Sequence, residues 1–283
     1  MKVMIPFDER RDFARYADYL ERGFLDAYGP CVTVEHNTSM CLLPESIMPV
    51  GIIDEVRGRA YWDWSDFGDV NRGLDAPCGK IELRSGDESA VMQPTAQVIP
   101  EGLDEILALR ESEWREPVRD VYFVGRNTNH EDRAALVETI RAQTHWTSCI
   151  KLVQRVDRPK IPPEIVGEKF KRAQNYVNQQ ESRVCIAPPG IGEKTWRHME
   201  TLALGRCLVM PETDCLWPAD YTGCVAIVKR DWSDLPEVVD DLLADDDKRN
   251  RIASAGRKYW DEHLSPAALA RQLYRLAFGK DRT

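Results

Sequence analysis

The segment Ala187-Pro188-Pro189-Gly190-Ile191-Gly192-Glu193-Lys194-Thr195-Trp196-Arg197-His198-Met199-Glu200 gathers the residue types that bind an anion. Gly190 and Gly192 let a backbone approach a ligand closely. A helix starting just after them presents unpaired N–H groups and the positive end of its dipole. Thr195 adds a hydroxyl donor, and the planar guanidinium of Arg197 can hold a phosphate through two parallel N–H bonds. Glu200 stands three residues beyond Arg197, on nearly the same helix face, where a carboxylate suits a ribose diol. The chemistry this predicts is retention of a nucleoside diphosphate. The ordinary alternative is a glycine turn followed by an amphipathic helix with a surface Arg–Glu pair. His198 lies about a hundred degrees round the helix from Arg197 and reads as structural.

The elements that must position this loop are legible in the second half. Val121–Gly125, Cys149–Val153, Val184–Ala187, Cys207–Pro211 and Val225–Val228 are short apolar runs bounded by turn residues, and they read as buried strands. Between them lie helical patterns: Ala134–Ala142, Pro162–Gln180, and Lys194–Leu204 closed by Gly205 as an αL cap. Strands alternating with helices predict βαβ units and a parallel sheet, whose carboxyl end is where such folds place ligands. The tail from Leu235 onward is helical throughout. The charged stretch Leu109–Arg119 reads as a linker, giving domains 1–117 and 118–283.

The first half is less regular. Val3–Phe7 reads as a strand, Asp12–Tyr28 as a helix and Cys31–Val34 as a second strand. Beyond them the chain turns Pro-, Gly- and aromatic-rich, and Tyr61-Trp62-Asp63-Trp64-Ser65-Asp66-Phe67 reads as an aromatic loop. Tryptophan faces stack on sugar rings, and Asp63, Asp66 and His36 are the candidates for a general base. Core tryptophans, turn-capping aspartates and a structural histidine are the alternatives at those positions.

The 283 residues carry 38 basic against 47 acidic side chains, a net charge of −9. That balance argues against a nucleic-acid partner or an anionic membrane surface. No run of about 18 apolar residues codes a membrane span. The eight cysteines are scattered without a Cys-x-x-Cys pair, so neither a zinc site nor a disulfide framework is expected. Asp245-Asp246-Asp247 falls between tail helices and reads as a solvated charge run, so no bound metal is expected either. The resulting expectation is a reduced, cytoplasmic protein.

From Gly190 through Thr195-Trp196-Arg197-His198-Met199-Glu200 to Gly205-Arg206-Cys207-Leu208-Val209, the sequence resembles the exostosin-like glycosyltransferase pattern. That pattern is a Gly-rich loop, a Ser/Thr-x-Arg, a Glu three residues on, then a Gly and an apolar strand. Phe123-Val124-Gly125-Arg126 with Arg133 is similar to the opening of the same half. The resemblance implies an α/β, GT-B-like fold of two Rossmann-like domains with parallel sheets facing a cleft, the second half binding nucleotide sugar. It implies Arg197 and Thr195 on the diphosphate, Glu200 on the ribose, and Arg126 or Arg133 as a further phosphate contact. The expected activity is metal-independent transfer from a UDP- or GDP-sugar to the hydroxyl of a glycan or other acceptor, without a cofactor. Eight positions before Glu200 stands Gly192, so the paired glutamates of many retaining enzymes are absent and inversion is expected. A sugar-nucleotide epimerase or hydrolase on the same scaffold, and a non-catalytic nucleotide-sugar-binding module, are the rival readings.

Overall fold

A computed structural model describes residues 1–6, 14–37, 50–55, 58–65, 80–85, 91–96, 102–112, 116–127, 132–154, 166–167, 170–189, 194–213 and 217–278. The chain is a mixed α/β protein with two sheets. The first opens as the sequence predicts, with β1 (Lys2–Pro6), α1 (Ala14–Tyr28) and β2 (Thr33–Asn37). β1 and β2 pair in parallel, Val3 opposite Val34. Tyr19, Leu20 and Phe24 bury one stripe of α1, while Asp18 and Asp26 stay exposed. β3 (Val50–Glu55), β4 (Gly58–Ser65), β5 (Lys80–Ser85) and β6 (Val91–Ala96) complete the sheet, in the order β2-β1-β3-β4-β5-β6. All four join antiparallel, so parallel pairing in this sheet is confined to β1 and β2. The aromatic stretch expected as a loop is therefore strand β4 up to Ser65.

The second sheet is parallel throughout. After α2 (Leu103–Glu111) come β7 (Arg119–Arg126), α3 (Asp132–Ala142), β8 (Ser148–Val153), α4 (Arg172–Gln180), β9 (Ser182–Ile186), α5 (Trp196–Ala203), β10 (Cys207–Pro211) and β11 (Ala226–Val228). Then follow α6 (Leu235–Ala244), α7 (Asp246–Tyr259), a π-helical turn Trp260–Leu264, and α8 (Pro266–Phe278). The strand order is β11-β10-β9-β7-β8. This is the doubly wound, Rossmann-like half that the alternating pattern predicts. The alternation of side chains along each strand separates two faces. Val121 and Phe123 of β7, with Val184, Ile186, Cys207 and Val209, meet α3 and α6 through Leu136, Ile140, Leu235 and Val239. Tyr122, Val124 and Cys185 point the other way.

Two expected boundaries move. The helix predicted from Pro162 begins at Arg172; ahead of it Val166 bridges Leu152, and Gly167 leaves room for the stem of Lys151. The charged stretch expected as a linker is helical up to Glu111. Contacts group residues 1–99, 215–219 and 261–283 as one unit, and 100–214 with 220–260 as the other. The boundary expected from the sequence lies at 117/118, within the second of these units. The division by contacts places α8 with the first unit, where Pro266 lies so close to α1 that a Cβ at Gly23 would sit 2.2 Å from the Pro266 carbonyl oxygen. The Tyr19 hydroxyl donates to the Leu264 carbonyl at 2.5 Å in the same region.

Candidate functional site

The order β11-β10-β9-β7-β8 fixes where a ligand can sit. From β7 the chain crosses to β8 on one side, then returns to β9 on the other, so the direction of winding reverses between β7 and β9. In folds wound this way the carboxyl ends of the two strands at the reversal are where ligands bind. Arg126 is the last residue of β7, and Pro189 lies three residues past the end of β9.

Two guanidiniums occupy this place. Arg133, in the first turn of α3, is 8% exposed. Its Nε donates to the Pro189 carbonyl at 2.9 Å and its Nη1 to the Arg126 carbonyl at 2.6 Å, so one side chain links the exits of both strands. Gly125 makes room for it, since a Cβ there would lie 3.1 Å from that Nη1. Arg197, in the first turn of α5, donates from Nη2 to the Val124 carbonyl and lies over the rings of Tyr122 and Phe123, 5.3 and 6.0 Å from their centroids. Its Nη1 is buried and has no hydrogen-bond partner among the described residues. Burial, then the charge of Arg197, lowers the Arg133 pKa to about 10, so Arg133 remains cationic near neutrality. Among the described residues, Arg133 donates to two main-chain carbonyls and Arg197 to a third. Positive charge thus collects at the strand ends next to a helix N-terminus, an arrangement matched to an anion.

Thr195 precedes α5 as its N-cap. Its N–H donates to His198 Nδ1 at 3.0 Å, and its hydroxyl lies 3.1 Å from the same nitrogen. The accepting Nδ1 assigns the ring proton to Nε2. Burial drives the His198 pKa down to about 3, with Lys194, Arg197 and Arg133 adding to the effect. A neutral imidazole serves here as an internal cap and adds no further charge to the cluster.

Glu200 is 4% exposed and turned toward α4, where it accepts from Gln179 Nε2 at 3.0 Å and from the Tyr176 hydroxyl at 3.4 Å. Gln179 is held in turn by the Thr201 hydroxyl, which donates to its Oε1 at 3.0 Å. The described bonds thus join Arg133 to the ends of β7 and β9, Arg197 to β7 and Thr195 to His198, while Glu200 is directed to the neighbouring helix. Arg126 contributes its carbonyl, while its side chain is exposed. His36 lies on β2 opposite Ile5, and Asp63 on β4 opposite Val50 and Glu82, both in the first unit. Gly190, Gly192 and Asp66 lie outside the described residues.

Sequence reasoning missed the partners that shape the arginines: the carbonyls of Val124 and Pro189, the Tyr122 ring, and Asn175, Tyr176 and Gln179 of α4. A signal existed in the amide-rich run Gln174-Asn175-Tyr176-Val177-Asn178-Gln179-Gln180, because amides on the inner side of a helix need polar partners. Among the described residues, no group of three or more His, Cys, Asp or Glu side chains is placed to hold a metal ion. No helix among them is long and apolar enough to cross a membrane.

No protein-family model matches the chain, and no curated protein does. Among solved structures, it is similar to a sucrose-phosphate synthase from Thermosynechococcus elongatus, with 16% identity and a TM-score of 0.38. That alignment covers 62% of this chain and 49% of the other. It is also similar to a protein from Listeria monocytogenes assigned as a UDP-N-acetylglucosamine 2-epimerase, with 12% identity and a TM-score of 0.38, over 70% of this chain and 58% of that one. The chain thus spans about half the length of the first of these structures.

Proposed function

We propose that this chain is a sugar-transferring enzyme whose donor is a nucleoside-diphosphate sugar, with the diphosphate seated on Arg133 and Arg197 between the ends of β7 and β9. One observation carries the reading: Arg133 and Arg197 both donate to main-chain carbonyls at the ends of these strands, near enough for the charge of Arg197 to lower the Arg133 pKa, and Arg197 keeps a buried Nη1 that no described residue satisfies. An unpartnered buried N–H costs about 1–3 kcal/mol, a cost that a bound anion would remove. The chemistry follows. When the glycosidic bond to a nucleoside diphosphate breaks, negative charge grows on the leaving phosphate. Fixed guanidiniums and the start of α5 stabilise that charge without a metal ion.

The acceptor hydroxyl needs a base if the reaction inverts, and Asp63, Asp66 and His36 of the first unit are the candidates we carry forward. A thermal-shift series with UDP, GDP, their sugars, uridine and pyrophosphate tests the donor site, each with and without EDTA. Ligand at about a hundred times its Kd should stabilise the fold by roughly 2.7 kcal/mol, a rise of roughly 5–10 °C. Shifts with the diphosphates and pyrophosphate but not with uridine, unchanged by EDTA, support the site; no shift with any diphosphate refutes it. For the acceptor side, Asp63→Asn should abolish transfer while leaving the UDP-induced shift intact, and full transfer by that variant removes Asp63 from the list.

A further inference from the structure

We infer that Glu200 is a positioning residue for Arg197: a polar shelf on α4, built by Asn175, Tyr176 and Gln179, sets the rotation of α5 and the floor beneath the guanidinium. The inference rests on the diphosphate reading of Arg197 and assigns Glu200 a role other than contact with ribose.

Bonds of opposite sense at two positions hold α5. On one side Arg197 Nη2 donates to the Val124 carbonyl of β7. On the other, one turn later, the Glu200 carboxylate accepts from Gln179 and Tyr176 of α4. A helix of eight residues tied at both positions has little freedom to roll about its axis. The direction of the second tie is fixed from behind. The Thr201 hydroxyl donates to Gln179 Oε1, so the amide must turn its Nε2 toward Glu200. Gln179 and Thr201 are both fully buried, and water cannot replace either bond. The same helix also secures the floor. Tyr122, whose ring lies under Arg197, donates its hydroxyl to Asn175 Oδ1 at 2.6 Å. Gln179 of α4, with Tyr176 and Asn175 three and four residues before it, therefore governs both the helix that carries Arg197 and the ring it rests on.

The test exchanges the two partners. Gln179→Glu alone sets two carboxylates face to face and removes the donor. The double variant Gln179→Glu/Glu200→Gln restores an amide facing a carboxylate, with Thr201 donating to the new carboxylate and Tyr176 to the new amide oxygen. Inorganic pyrophosphate and UDP are the probes, titrated calorimetrically. Positioning predicts that Gln179→Glu weakens pyrophosphate and UDP by the same factor, about tenfold, and that the double variant returns both to within about threefold of the parent. Should Gln179→Glu fail to fold, Gln179→Met carries the same expectation of an equal loss on both probes.

If the variants weaken UDP but leave pyrophosphate unchanged, or if the double variant recovers pyrophosphate and not UDP, Glu200 touches the ribose and the inference is overturned. Unchanged affinity for both probes in Gln179→Glu or Gln179→Met overturns it equally. Failure of the underlying reading is distinct, because Arg197→Ala would then bind pyrophosphate as the parent does.

Discussion

Replacing Arg197 by alanine separates what the side chain does for the fold from what it does for a ligand. In the free protein the substitution removes the bond to the Val124 carbonyl, about 1.5–3 kcal/mol for a charged donor. It also removes the contact with the Tyr122 ring, roughly 1 kcal/mol at a partly buried site. Against this, the buried Nη1 that no described residue satisfies disappears, which returns about 1–3 kcal/mol. Arg133 is freed of a neighbouring like charge that depresses its pKa. At the midpoints of these ranges the terms leave a net loss of about 1 kcal/mol, or roughly 2–4 °C in Tm. With pyrophosphate bound nothing cancels. Losing two charge-assisted bonds should cost about 3 kcal/mol, a Kd more than a hundredfold weaker. Calorimetry with pyrophosphate and with UDP, beside a melting curve of each protein, measures both halves. Unaltered pyrophosphate binding would falsify the phosphate assignment. A Tm lower by 10 °C or more would show Arg197 to be a structural residue.

Further outcomes follow from the burial of His198 and the contact between α1 and α8. His198 has a native pKa near 3 against an ordinary 6.5, so between those values the unfolded chain binds a proton that the folded chain rejects. Its contribution is complete above about pH 6.5 and is lost as pH falls toward 3, up to roughly 4 kcal/mol. Urea unfolding between pH 7 and 4 should give a shallower stability slope for His198→Gln than for the parent, and equal slopes would exclude a buried neutral imidazole. Gly23→Ala places a Cβ against the Pro266 carbonyl and should lower stability by about 2–3 kcal/mol. A parent-like melting temperature in that variant would show that the two helices are not in close contact.

The second half was legible because each of its elements carries a strong local signal. Val121–Gly125 and Cys207–Pro211 are apolar on both faces, as inner strands of a parallel sheet covered by helices must be. Gly205 takes φ +67 after α5, the conformation its position predicted. The first half was less legible because β3–β6 pair antiparallel. Tyr61-Trp62-Asp63-Trp64 satisfies strand propensity through its aromatics, yet its polar interruptions and flanking glycines read as a loop. At the site, residue types pointed to Arg133, Thr195 and Arg197. They did not reveal that Thr195 binds His198 or that Glu200 faces α4, since those depend on which side of a short helix meets its neighbour. The start of α4 moved for a related reason: helical periodicity from Pro162 ignored the pairing of Val166 with Leu152.

The two surfaces of the parallel sheet divide the work of the second unit. One surface holds the large aliphatic and aromatic cluster around Phe123, Leu136, Ile186 and Leu235, where any truncation leaves a void. The opposite surface is held by directional polar bonds among Tyr122, Asn175, Gln179, Glu200 and Thr201. Paired exchanges on that polar surface conserve volume, so selection can retune ligand preference there while folding energy stays in the care of the other side. A mutational library meant to alter recognition without loss of yield belongs on α4 and α5, and one confined to α3 and α6 would produce mostly unfolded chains.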